Sequence, residues 1–143
     1  MSFVQCDKSR CVGCLTCVVT CIDHHYAETE TDAVSLRRYE NEVSPRTGMM
    51  SYKTRSCLHC KEPRCMEVCP ADVYYRDWDG FVKMHRENCI GCRRCQEACP
   101  IGAIAFDKEG RALKCDGCFE RVARGLEPAC VKACPMDALR LAD

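Results

Sequence analysis

Seventeen cysteines in 143 residues constrain this chain more than any other feature. Sixteen of them fall into four groups. The first is Cys11, Cys14, Cys17 and Cys21, and the second is Cys57, Cys60, Cys65 and Cys69. The third is Cys89, Cys92, Cys95 and Cys99, and the fourth is Cys115, Cys118, Cys130 and Cys134. Every group ends in C-x3-C, and in all but the first that pair is followed at once by Pro70, Pro100 or Pro135. Cys6 stands outside all four. At this density cysteine chemistry, not apolar packing, decides what the chain can fold into.

The run C-x2-C-x2-C-x3-C-P is the bacterial ferredoxin signature, whose fourth cysteine serves the other cluster where two are bound. The physics is one of reach. Thiolates two residues apart wrap three irons of one cube in a tight loop, where Gly13 and Gly91 let the backbone approach inorganic sulfide. A short helix then carries the fourth thiolate away, and the proline stops that helix and turns the chain into a strand. The third group fits at every position. The first has Ile22 for the proline, the second is stretched by two residues between its middle cysteines, and the fourth carries a long insertion.

Zinc would close tetrahedral sets of cysteine, or of cysteine and histidine. It would not call for three cysteines plus a distant one, nor for the repeated C-P. A disulfide scaffold belongs to secreted chains. With sixteen cysteines sufficient for four cubes, His24, His25, His59 and His85 read as surface residues or as neighbours of a cluster. Cys6 reads as a half-buried structural thiol on a first strand, Phe3 to Cys6.

The 21 basic and 21 acidic side chains cancel formally. Sixteen thiolates and four cores of about +2 each would bring the loaded protein to roughly −8. The basic residues then offset cluster charge, and no basic run interleaved with aromatics supports nucleic-acid binding. The start, Met1 to Lys8, has no basic region leading into an apolar one, so no secretory signal is expected. Arg37-Arg38 and Arg93-Arg94 lead into polar sequence and are not read as export signals. No apolar stretch approaches a membrane span. The expected compartment is reducing and cytoplasmic, with export alongside a partner left open.

Between the groups lie turn signals. Asp77-Trp78-Asp79-Gly80 divides Val73–Arg76 from Phe81–Met84, and Asp107-Lys108-Glu109-Gly110 divides Ile104–Phe106 from Ala112–Lys114, each predicting a hairpin. Val34, Leu36 and Tyr52 around Pro45-Arg46-Thr47-Gly48, in the cysteine-free stretch 27–54, predict another. Asp116 to Arg124 reads as one short helix ended by Gly125. A single strand, Ala138 to Leu141, follows Pro135. The expected class is α+β, with very little apolar core.

Read together, these stretches resemble the four-cluster ferredoxin subunits of molybdopterin and tungstopterin oxidoreductases, the dimethyl sulfoxide reductase iron–sulfur subunit family. The resemblance rests on Arg10 to Cys14, Cys57 to Cys60 with Pro63 and Cys65, Asp79 to Val82, Asn88 to Arg93, Lys114 to Cys118 with Gly125, and Pro128 to Pro135. It implies two ferredoxin-like modules, residues 1–54 with 111–143 and residues 55–110, each binding two 4Fe-4S clusters by crossed pairing. Carried over, cluster 1 takes Cys11, Cys14, Cys17 and Cys134, and cluster 2 takes Cys115, Cys118, Cys130 and Cys21. Cluster 3 takes Cys57, Cys60, Cys65 and Cys99, and cluster 4 takes Cys89, Cys92, Cys95 and Cys69. Cluster 1 would face a large catalytic subunit, and cluster 4 would lie at the far end, towards a further electron donor or acceptor protein. The chain stops just past Leu141, shorter than many relatives that dock on a membrane subunit, which weakens a quinone-linked reading. No ligand position carries Trp or Asp, so no three-iron cluster is expected.

The function expected is non-catalytic electron transfer. No Ser/His/Asp set, phosphate loop or carboxylate pair stands out. Potentials would be set by burial, by backbone hydrogen bonds to sulfur and by charges such as Arg93 and Arg94. The rivals are a soluble polyferredoxin or hydrogenase- or formate-linked adaptor without a fixed catalytic partner, and a zinc-structured interaction module.

Overall fold

A computed structural model describes residues 2–26 and 33–142. The elements run β1 (Phe3–Cys6), α1 (Thr16–His25), β2 (Arg38–Val43), β3 (Met50–Arg55), α2 (Arg64–Val68), β4 (Tyr74–Arg76) and β5 (Val82–Met84). After a 3₁₀ turn at Arg86–Asn88 come α3 (Arg94–Ala98), β6 (Ala105–Phe106), β7 (Ala112–Leu113), α4 (Phe119–Ala123), α5 (Ala129–Ala133) and β8 (Leu139–Ala142). The class is α+β, made of short helices and small antiparallel ladders. Among the described residues no helix is long and apolar enough to cross a membrane.

Proline sets the helix lengths. α2, α3 and α5 are five residues each and stop at Cys69, Cys99 and Cys134, whose backbones are extended with ψ of 115°, 118° and 114°. The residue before a proline is pushed out of the helical region, so each helix must end there. Ile22 imposes no such limit, and α1 continues for 10 residues to His25.

The strands pair as β1–β8, β2–β3, β4–β5 and β6–β7, all antiparallel. The first ladder joins the two ends of the chain, from Phe3 opposite Ala142 to Cys6 opposite Leu139. α1 packs on α5, and α2 on α3. In the β4–β5 hairpin the Gly80 N–H donates to the Asp77 carbonyl at 3.2 Å, and Asp79 Oδ1 accepts from the Phe81 N–H at 3.1 Å. In the β6–β7 hairpin Asp107 Oδ1 accepts from both the Glu109 and Arg111 N–H groups at 2.9 Å. These aspartates shape the turns in the way their side chains favour.

The strands of the two short hairpins are each one residue shorter than expected, with β4, β5 and β6 starting late and β7 ending early, and three further expectations shift. The hairpin around Pro45 forms with Tyr52 in β3, but β2 starts at Arg38, so Val34 and Leu36 precede it. Leu36 instead enters a small core with Cys21 and Leu113, which anchors the approach to β2. Residues 27–32 of that stretch lie outside the described residues. The helix read from Asp116 begins only at Phe119, because Gly117 and Cys118 are left-handed, with φ of +75° and +52°. Its end is as expected: Gly125 is left-handed, and the Leu126 N–H reaches back to the Arg121 carbonyl at 3.0 Å. The last strand starts one residue late, at Leu139.

The apolar core is divided. One part holds Val73, Tyr74, Val82, Cys95, Ile104 and Ala112, and another holds Val4, Cys17, Cys130, Val131 and Leu139. Cysteine belongs to every part. The fold packs around its thiols.

Candidate metal centres

Each cysteine loop is held by a left-handed residue and by N–H groups aimed at sulfur. In three loops the left-handed residue before the second cysteine is glycine: Gly13, Gly91 and Gly117, with φ between +72° and +75°. The second loop has His59 there at φ +47°, a cost of about 1–2 kcal/mol for an L-residue. Tertiary contacts hold it. His59 is 1% exposed, its Nδ1 accepts the Val82 N–H at 3.0 Å, and its ring meets Phe81 edge-on at 5.1 Å. Arg76 donates to the carbonyls of His59, Cys60 and Lys61 and so clamps the same loop.

Sulfur receives backbone N–H groups at repeated positions. His59 donates to Cys57 Sγ and Gly117 to Cys115 Sγ, both at 3.3 Å. Ala112 N–H, on the neighbouring hairpin, donates to Cys89 Sγ at 3.3 Å. After each C-P the chain turns through a left-handed residue (Asp72, Gly102 or Asp137). The next N–H then returns to the cysteine, from Val73 to Cys69 at 3.5 Å, from Ala103 to Cys99 at 3.3 Å and from Ala138 to Cys134 at 3.3 Å. Donors of this kind strengthen when the acceptor is a thiolate, and they tune a metal bound to it.

The predicted ligands converge. One hollow is lined by Cys57, Cys60, Cys65 and Cys99, and a second by Cys69, Cys89, Cys92 and Cys95. A third is lined by Cys11, Cys14, Cys17 and Cys134, with Cys6 beside them on β1. Cys21 lies among Cys115, Cys118 and Cys130, close enough that each of these charges would repel its own. All seventeen thiols are unbridged.

Electrostatically these are poor sites for bare thiolates. Burial, more than the neighbouring sulfurs, pushes the Cys65 thiol up to about 11 and the Cys118 thiol up to about 12. Cys21 is pushed higher still by the same causes. A polynuclear cation removes both difficulties, since it deprotonates the thiols and screens their repulsion. The Tyr74 hydroxyl points the same way. It is buried without a nitrogen or oxygen partner and stands beside Cys95, so a thiolate there gives it an acceptor.

The histidines stand apart from these hollows or beside their rims. His85 stacks on Tyr75 at 4.3 Å, and His24 is exposed. His25 Nε2 lies 3.7 Å from Cys118 Sγ and 3.8 Å from Asp116 Oδ1. Arg93 covers the Phe106 ring at 4.3 Å, and it and Arg94 are exposed.

Sequence reading missed the buried charges. Arg37 is 2% exposed, with Nη1 on Thr54 Oγ1 at 3.0 Å and Nη2 on Ser56 Oγ at 3.2 Å. Lys114 is 5% exposed; its ammonium donates to the Val82 carbonyl and, at 2.9 Å, to the Cys115 carbonyl. The only signal for Lys114 is its place next to Cys115, and Arg37 is read in the sequence only as half of an arginine pair that is not an export signal. Phe81 was also missed: its ring lies between His59 and Gly117 and joins the second cysteine loop to the fourth.

Residues 48–143 match the family described as "4Fe-4S dicluster domain", and residues 10–73 match a second family of that description. The B subunit of the anaerobic dimethyl sulfoxide reductase of Escherichia coli K12 is 42% identical over 144 residues, covering 93% of this chain and 69% of the relative. The thiosulfate reductase electron transfer subunit PhsB of Salmonella typhi is 36% identical over 141 residues, covering 94% and 71%. The putative electron transport protein YsaA of E. coli K12 is 34% identical over 144 residues, covering 99% and 89%. A zinc module does not agree with these matches. The chain belongs to the 4Fe-4S dicluster family of electron-transfer subunits, and is a non-catalytic iron–sulfur protein holding four 4Fe-4S clusters.

Proposed function

We propose that this chain relays single electrons to or from a molybdopterin or tungstopterin catalytic subunit, through clusters ligated in crossed pairs. The bound clusters supply one-electron couples. The chain supplies thiolates, N–H donors to sulfur and a dry surround. Cluster 1 is held by Cys11, Cys14, Cys17 and Cys134, and cluster 2 by Cys115, Cys118, Cys130 and Cys21. Cluster 3 is held by Cys57, Cys60, Cys65 and Cys99, and cluster 4 by Cys89, Cys92, Cys95 and Cys69. Residues 1–54 with 111–143 form one module and residues 55–110 the other. Cluster 1 meets the catalytic subunit, and a further donor or acceptor protein meets cluster 4. Unbridged thiols suit a reducing compartment, and the cytoplasm is the setting we infer.

The observation that carries this reading is the lining of the hollows, in which three cysteines of one group meet the last cysteine of another. The packing of α1 on α5 and of α2 on α3 supports the same division. The test uses serine, which keeps the size but offers a harder ligand. Under crossed pairing, redox-titrated electron paramagnetic resonance shows Cys21→Ser altering the signal that Cys115→Ser alters. If Cys21→Ser instead matches Cys11→Ser, ligation is local and the two-module reading is withdrawn. YsaA, named only as a putative electron transport protein, favours a second reading, a carrier with no fixed catalytic partner. Purification from the native source separates them: the first gives co-elution with a large chain, the second a free small protein.

A further inference from the structure

Among the described residues three lysine or arginine side chains are almost wholly buried, and of these Lys83 alone has carboxylate partners. Lys83 is 5% exposed and donates to Asp77 at 2.9 Å and to Asp79 at 2.6 Å. Arg37 and Lys114 are buried as deeply, yet among the described residues no carboxylate lies within ion-pair distance of either. Their hydrogen-bond partners are neutral groups: the Thr54 and Ser56 hydroxyls for Arg37, and the Val82 and Cys115 carbonyls for Lys114. A cation buried with neutral partners alone is expensive and rarely kept.

Their positions explain the retention. Thr54 Oγ1 accepts from Arg37 and also lies 3.5 Å from Cys17 Sγ, and Cys17 packs in one core cluster with Cys130, so the guanidinium lies close to ligands of two clusters. Lys114 lines the hollow of Cys57, Cys60, Cys65 and Cys99, while its ammonium holds the Cys115 carbonyl.

We propose that Arg37 and Lys114 are built-in counter-charges that raise the reduction potentials of the clusters on either side of them, Arg37 those of clusters 1 and 2 and Lys114 those of clusters 2 and 3. This rests on the crossed ligand sets. Each arriving electron adds one negative charge and neither makes nor breaks a bond. A fixed buried cation therefore favours the reduced form, at a cost already met when the protein folds around its clusters. Among the described residues lining the hollow of cluster 4 the cation is Arg93, which is exposed, so its charge is screened.

The test is a redox titration of anaerobically loaded full-length protein, with iron and sulfide counted for each variant. In Arg37→Gln the reduced-to-oxidised ratio of clusters 1 and 2 at a fixed potential falls about tenfold or more, 59 mV for a one-electron couple. Clusters 3 and 4 keep their potentials. Lys114→Gln lowers clusters 2 and 3 in the same way and leaves 1 and 4 unmoved. Full iron with unmoved potentials, or an equal shift of all four, overturns the proposal. If a glutamine variant loses iron, Arg37→Lys and Lys114→Arg decide. Restored iron with wild-type potentials supports a role for charge. Iron without those potentials, or iron lost again, assigns the role to shape and overturns it. If the ligand sets themselves are wrong, the serine variants show it while the shifts persist on other signals; if the charge assignment is wrong, the sets stand and nothing shifts.

Discussion

Replacing Gly117 by alanine separates two costs that the fold keeps together. Gly117 has φ +75°, so any L-residue there meets the left-handed penalty of about 1–2 kcal/mol. An added Cβ would also stand 2.3 Å from Phe81 Cδ1 and 2.4 Å from Cε1. The ring is 1% exposed and has His59 at its edge, so it yields only by pushing the second cysteine loop. Overpacking of this kind costs about 1–3 kcal/mol, for a sum of about 2–5 kcal/mol. Gly125 is the control: its φ is +78° with nothing within 4 Å of an added Cβ, so Gly125→Ala meets only the first cost. Cluster loss is irreversible, so the assay is the rate of bleaching of the brown chromophore in guanidinium under argon. With each 1.36 kcal/mol worth a factor of ten, Gly117→Ala should bleach roughly 5- to 150-fold faster than Gly125→Ala. Combining Gly117→Ala with Phe81→Leu should restore part of that difference, less than additively. Equal rates for the two alanine variants, or strict additivity in the double variant, would refute the claim that Phe81 pins the fourth loop against the second.

Arg76→Met removes charged hydrogen bonds to three carbonyls of the second loop. It should cost about 2–4 kcal/mol, with the signal sensitive to Cys57→Ser disappearing first on heating. Loaded protein should contain about sixteen iron and sixteen sulfide. Chelating that iron anaerobically should abolish most amide protection, because cysteine sits in every part of the core; a cooperative thermal transition in the apo-chain contradicts this. Reconstitution should depend on pH with a definite sign. In the unfolded apo-chain exposed thiols titrate at about 8.5 and keep their protons at neutral pH, and folding without metal would push those of Cys65 and Cys118 up further by burial, so iron must displace the protons. Binding then releases protons, and iron affinity rises from pH 6 to pH 8.5 and falls in acid. Yields that do not change over that range would contradict it.

Much of this protein is local in the sequence. The spacing of cysteines sets how a short loop can wrap a cube, and Pro70, Pro100 and Pro135 set where three helices stop, because both act over two or three residues. The aspartate and glycine turns were legible for the same reason. Ile22 was noticed as a departure, but its consequence, a helix twice the length of its counterparts, appears only in the structure. The left-handed His59 could not be read from a loop that elsewhere carries glycine. Its conformation is held by Val82, Phe81 and Arg76, which follow it in sequence by 17 to 23 positions. The buried charges lie furthest from sequence reading. Nothing in Arg37-Arg38 distinguishes the first arginine from the second, and only tertiary packing turns Arg37 inward onto Thr54 and Ser56 while Arg38 stays exposed. The ligand types are a property of residues and their spacing. The charge each site feels depends on which distant side chains are buried beside it, and that is decided by the fold.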